Sequence, residues 1–232
     1  DRVEFLLEHA SRYLRKEVTD RDVLSVFAGL RPLVASGGGA SSSSVSRDHT
    51  LITSRSGLVT ITGGKWTTYR KMAEDTIDLA ATVGGLDDVV CKTAELRIHG
   101  YREPQEGENP FSGGGVYGSD WDAIAALKTD RPELAEVLHP NLPYTLAEVV
   151  WAVRSEMART LEDVLSRRMR ALLLDARASI EIAPKVAEVM ATELGRDEAW
   201  AKEAVETYEK LAGRYVLTEN WRDELEWSLT EL

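Results

Sequence analysis

The sequence predicts an α+β chain in which a short α/β section is followed by an all-α helical domain. Three observations carry that reading. β-Branched apolar runs precede Gly63, one-sided apolar stripes at helical spacing follow Gly118, and a polar stretch rich in glycine and proline lies between. The boundaries read from this punctuation are 1–88, a linker over 89–117, and 118–232. With 232 residues, 43% of them hydrophobic, the chain has material for a core in one or two domains.

The first section opens on an amphipathic helix, since Val3, Leu6, Leu7, Ala10, Tyr13 and Leu14 share one face. The run Val23 to Leu30 is β-branched and apolar and ends at Arg31-Pro32, which predicts a strand delivering Arg31 to a sheet edge. Gly37 to Ser44, three glycines, an alanine and four serines, reads as a loop. Two β-like runs follow, 45–52 and 58–62, and Ser54-Arg-Ser-Gly57 between them reads as a hairpin turn.

The second run enters Gly63-Gly64-Lys65-Trp66-Thr67-Thr68. Apolar positions from Trp66 to Val83 then keep helical spacing until Gly84-Gly85 stops them. This is a glycine turn opening a helix. Glycines let backbone approach a ligand, and the first amides of a helix attract negative charge. The phosphate loop of nucleotide hydrolases is excluded, because Val59 and Trp66 stand where that pattern needs Gly and Ser/Thr. From these residues alone, a ligand turn and a plain strand-to-helix turn both stand.

Gly113-Gly-Gly115-Val-Tyr-Gly118 matches the dinucleotide fingerprint literally, but no strand leads into it, so it reads as a flexible linker. Beyond it, Ser119 to Asp122 and Thr145 to Glu148 resemble capping boxes, Thr160 to Asp163 is a further helix start, and helices are expected over 184–194 and 197–216. Arg167, Arg168 and Arg170 stand among Glu162, Asp163 and Asp175, which favours a solvated or internally paired face over an anion site.

Charge and composition exclude several classes. Lys+Arg number 28 against 39 Asp+Glu, a net of -11, and residues 91–232 hold net -10 of it, so nucleic-acid binding is not expected. One cysteine, Cys91, rules out an internal disulfide framework. His9, His49, His99 and His139 lack metal-ligand spacing, so no metal site is expected; His49, close to Arg47, is the histidine that stands out. With no apolar stretch of membrane-spanning length and a charged start at Asp1-Arg2-Val3-Glu4, the expectation is a soluble or peripheral protein without a signal peptide.

Three segments in this order carry a resemblance: Ser25 to Leu33, Ser46 to Leu51, and Gly57 to Asp75 with its Gly-Gly-Lys-Trp-Thr-Thr-Tyr-Arg-Lys-Met-Ala-Glu-Asp sequence. They resemble the C-terminal part of FAD-dependent glycerol-3-phosphate dehydrogenase, in the D-amino-acid-oxidase-like flavoprotein group. The second section, with Thr160 to Arg168, is similar to that family's helical C-terminal domain.

The resemblance implies that residues 1–88 close a flavoprotein substrate/FAD domain, and that FAD is bound mainly by an N-terminal domain absent from this chain. The implied reaction takes sn-glycerol 3-phosphate to dihydroxyacetone phosphate and passes electrons to a quinone. Arg31 and Arg47 would hold the substrate phosphate, as guanidinium groups bind such oxygens bidentately. Gly63, Gly64, Lys65, Trp66 and Thr67 would approach the flavin, with Lys65 as base or charge stabiliser. A cytoplasmic location, peripheral at the inner membrane face, and a homodimer are the accompanying expectations, and the chain alone is expected to be inactive. Two alternatives stand: a glycerophosphate oxidase using oxygen, and a non-catalytic helical interaction module.

Overall fold

The computed structural model describes residues 2–29, 48–103 and 113–218. Arg31, Arg47 and the 37–44 loop lie outside the described residues. Contacts group residues 1–27 with 100–232, and residues 28–99 by themselves.

The smaller unit is a hairpin and a helix. Strand β1 (His49–Thr53) pairs antiparallel with β2 (Val59–Gly63), in the register His49 to Gly63 and Thr53 to Val59. The predicted Ser54–Gly57 turn closes it: Ser54 N–H donates to the Leu58 carbonyl at 2.9 Å, and Gly57 takes φ +85°, which glycine adopts without steric cost. Helix α2 (Tyr69–Gly84) follows a single 3-10 turn at Trp66–Thr68 and stops, as expected, at a left-handed Gly85. Within this unit its apolar stripe is wider than the hairpin covers: Trp66 is 87% exposed and Ile77 67%. Two strands offer too little surface to bury a four-turn helix.

The larger unit begins with helix α1 (Arg2–Ser11), no residue of which is buried. Its core is helical, built from α3 (Trp121–Asp130), α4 (Leu146–Ser155), the short α5 (Ala171–Leu174), α6 (Ala176–Leu194) and α7 (Glu198–Ala212). Val149, Val153, Leu161, Leu165, Met169 and Leu172 are buried together, as their common stripe predicts. Ala176, Ala183, Ala187 and Ala191 let α6 approach its neighbours closely. A short hairpin that sequence reading did not foresee, β3 (Val137–His139) with β4 (Leu142–Thr145), leads straight into α4.

Two of the three predicted helix starts are capped as their spacing predicts, whereas Ser119–Asp122 forms no box: α3 starts at Trp121, and Asp120 before it makes no side-chain cap. Thr145 N–H and hydroxyl both donate to the Glu148 carboxylate, at 2.7 and 2.9 Å. Asp163 accepts from the Arg159 and Thr160 amides, both at 3.0 Å.

Three local expectations are corrected. Residues 23–27 form no strand; they run extended along the helical core, with Ala176 N–H donating to the Leu24 carbonyl at 3.0 Å and Val26 N–H to the Tyr215 carbonyl at 2.8 Å. A lone apolar run has no ladder of its own, and here it supplies acceptors to the uncovered end of α6. Helix α6 starts at Ala176 rather than at Pro184, because Asp175 caps it by accepting from Ala178 N–H at 3.0 Å, and burial of Ile182, Ala183 and Val186 offsets the hydrogen bond that Pro184 cannot donate. Finally, Gly113–Asp120 is a packed helical turn and not a flexible tether. A Cβ on Gly114 would lie 2.0 Å from the Trp121 ring, and Ser119 N–H donates to the Gly100 carbonyl at 3.0 Å.

No helix among the described residues is long and apolar enough to cross a membrane.

Candidate active-site turn

The site is built where β2 runs out. Gly63 and Gly64 take φ of +77° and +79°, so the chain reverses through two successive left-handed positions before Lys65 returns to extended backbone at φ -133°. Gly64 has a second reason to lack a side chain, since a Cβ there would meet Met72 Sδ at 2.5 Å and His49 Cβ at 3.2 Å. The turn is wedged between α2 and β1.

Thr68 fixes the next step: its hydroxyl donates to the Lys65 carbonyl at 3.0 Å, and its N–H reaches the same oxygen at 3.0 Å. Trp66 and Thr67, as the first residues of a helical turn, have amides with no acceptor inside it. Trp66 lies over Tyr69, with ring centroids 5.7 Å apart. An open groove of about 580 Å³ runs past these residues and along Met72, Thr76 and Ile77 of α2.

Gly63, Gly64, Lys65 and Trp66 line this groove, Thr67 does not, and Lys65 and Trp66 are exposed. Arg31 and Arg47 lie outside the described residues, so a phosphate clamp stays a proposal.

Sequence reading missed the polar brace behind the turn. His49 Nε2 lies 2.9 Å from Asp75 Oδ2, Lys71 Nζ bonds Asp75 at 2.8 Å and Glu74 at 2.9 Å, and Arg70 also pairs with Glu74. Lys71, and then His49, hold the Asp75 carboxyl below its ordinary range against the opposing effect of burial, and Lys71 and Arg70 do the same for Glu74. The signal available was the i, i+4 spacing of Lys71 and Asp75; the 26-residue separation of His49 and Asp75 is not visible locally. Glu74, Asp75 and Asp78 do cluster, but two of the three carboxylates already serve as partners for cations.

In the helical unit Arg167 and Arg168 are paired within the chain, as expected, and Arg170 is exposed. Arg167 bonds Glu162 at 2.7 Å and Asp163 at 2.9 Å, and Arg168 donates to the Glu156 carbonyl at 2.6 Å.

Residues 114–201 match the family model of the C-terminal domain of alpha-glycerophosphate oxidase. The chain is 38% identical over 213 residues to a probable mitochondrial glycerol-3-phosphate dehydrogenase of Caenorhabditis elegans, covering 83% of this chain and 29% of that protein. It is 33% identical to the mitochondrial glycerol-3-phosphate dehydrogenase of Arabidopsis thaliana (89% of this chain, 37% of that one) and 34% identical to the human mitochondrial enzyme (90% and 31%). The chain belongs to the glycerol-3-phosphate dehydrogenase family. It spans about a third of the length of these curated glycerol-3-phosphate dehydrogenases, and its matched helical section corresponds to a C-terminal domain.

Does this turn suit a flavin, as the oxidase-related match suggests? Its donor set is two uncommitted amides and one exposed cation beside an aromatic and aliphatic groove. That combination fits a flat ring system that gains negative charge on reduction.

Proposed function

We propose that this chain is the C-terminal section of an FAD-dependent enzyme that oxidises sn-glycerol 3-phosphate to dihydroxyacetone phosphate and delivers the electrons to a quinone. The observation that supports it best is the Gly63–Thr67 turn, whose Gly63, Gly64, Lys65 and Trp66 line an open groove at the start of a helical turn.

Flavin, when bound, supplies the two-electron acceptor for hydride leaving C2 of the substrate. The Trp66 and Thr67 amides and the N-terminal dipole of the helical segment offer fixed donors to charge that develops there. Lys65 either takes the proton of the C2 hydroxyl or offsets negative charge beside it. Arg31 and Arg47 hold the phosphate by two guanidinium forks, which fixes the carbinol relative to the turn. The stacked indole and phenol rings of Trp66 and Tyr69 offer an aromatic surface beside the groove.

In this reading most of the FAD contacts come from outside the chain, the parent associates peripherally with the cytoplasmic face of the membrane, and it forms a homodimer. Two experiments test the reading. The 232-residue chain, purified alone, retains no stoichiometric flavin and does not turn over glycerol 3-phosphate; yellow, active preparations would overturn the division of labour. In the intact enzyme Arg31→Lys or Arg47→Lys lowers kcat/KM by about tenfold or more, because a point charge replaces a planar fork. Activity within twofold would remove the phosphate clamp, and peroxide produced in place of quinol would move the enzyme to the oxidase class.

A further inference from the structure

We propose that His49 is a positioning residue for the Gly63–Thr67 turn, through its bond to Asp75; this deepens the function proposed above and rests on it.

β1 starts at His49, whose strand partner is Gly63, so the turn hangs from the last rung of the hairpin. Of the two strands, β2 is the one packed along α2, and β1 touches that helix little. The His49–Asp75 bond is the polar strap from β1 to the helix, 2.9 Å long, with side chains 21% and 28% exposed. Gly64 sits inside the loop this strap closes, pinned by His49 Cβ on one side and Met72 on the other. The three-sided frame of hairpin end, strap and helix sets where Lys65 and the following amides come to rest.

The strap does not need a charged imidazole. Lys71 holds Asp75 as a carboxylate, and a carboxylate only accepts, so Nε2 carries the hydrogen in the neutral ring as well as in the cation. Lys71 in turn is anchored by Glu74, which Arg70 shares. Asp75 is therefore held from its own helix and offers His49 a fixed target, while His49 itself does not line the groove.

Amide hydrogen exchange on the 232-residue chain tests the frame, and steady-state kinetics on the intact enzyme test its use. His49→Ala is expected to raise exchange about tenfold at the turn's hydrogen-bonded amides, Lys65 and Thr68, while residues 79–84 of α2 stay within twofold. In the intact enzyme the same variant is expected to lower kcat about tenfold with KM for glycerol 3-phosphate within threefold, the pattern of a misplaced reacting group rather than lost substrate binding. His49→Gln, whose amide can donate from a similar position, restores both readouts to within about threefold. Unchanged exchange at Lys65 and Thr68, an equal rise across 48–84, or a Gln variant no better than Ala would each overturn the proposal. If exchange responds as expected but the intact enzyme shows no glycerol-3-phosphate oxidation with any variant, the proposed function fails and the positioning of the turn stands.

Discussion

Ser179 and Tyr208 share a hydrogen bond of 2.6 Å at the seam of α6 and α7, where Ser179 is fully buried and Tyr208 is 2% exposed. The two helices are otherwise joined by apolar packing, so this bond is a polar fastener inside it. Burial pushes the Tyr208 phenol up to about 12.

Tyr208→Phe leaves the Ser179 hydroxyl without that partner and is expected to cost about 1–3 kcal/mol in urea unfolding of the helical unit. The double variant Ser179→Ala/Tyr208→Phe loses less than the sum of its parts, because no orphaned group remains. With a raised folded-state pKa, the phenol contributes constant stability up to about pH 10, and that stability falls above it as the unfolded chain ionises first.

Gly118 is held at φ +56° and ψ -127°, and a Cβ there would lie 1.8 Å from the Gly100 carbonyl oxygen. Gly118→Ala combines that backbone clash with strain and should cost about 3 kcal/mol or more. Gly195 is the control: it is left-handed too, at φ +63°, but nothing lies near its missing side chain, so Gly195→Ala should cost only about 1–2 kcal/mol. Equal effects at the two sites would show that the 113–120 turn is not packed as described.

Asp163 supplies an acid-sensitive joint. Burial disfavours its charge, yet the Arg159 amide, the Thr160 hydroxyl and amide, and Arg168 together bring its carboxyl down to about 2. A depressed carboxyl contributes stability above its unfolded value, about 3.9, and loses it as pH falls through the folded value. The helical unit should therefore weaken between about pH 4 and pH 2. Asp163→Asn should flatten that dependence and lower stability at pH 7 by roughly 1–2 kcal/mol, read from urea midpoints at pH 7 and pH 3.

Much of this architecture was legible in the sequence because its causes are local. The Ser54–Gly57 reversal, the Thr145/Glu148 and Thr160/Asp163 boxes and the Gly85 and Gly195 stops are each satisfied by groups within about four residues, so residue type and spacing suffice. The Gly63–Thr67 turn belongs with them: two glycines after a β-branched run, then a helical stripe, place Lys65 at a helix start.

Tertiary structure decided the rest. Residues 23–27 look like a strand, yet their partners are Ala176 and Tyr215, far along the chain, and without a neighbouring strand an apolar run takes whatever donors and acceptors the core leaves unpaired. Pro184 reads as a helix start, yet the packing of the preceding turn outweighs its missing donor. The glycines at 114 and 118 read as slack, while their need is set by Trp121 and the Gly100 carbonyl pressing on them. The same holds at the site: sequence placed the lysine on its turn, but only the fold brought Asp75 to His49, because a contact between distant residues is chosen by the packing of whole elements and leaves no short-range pattern to read.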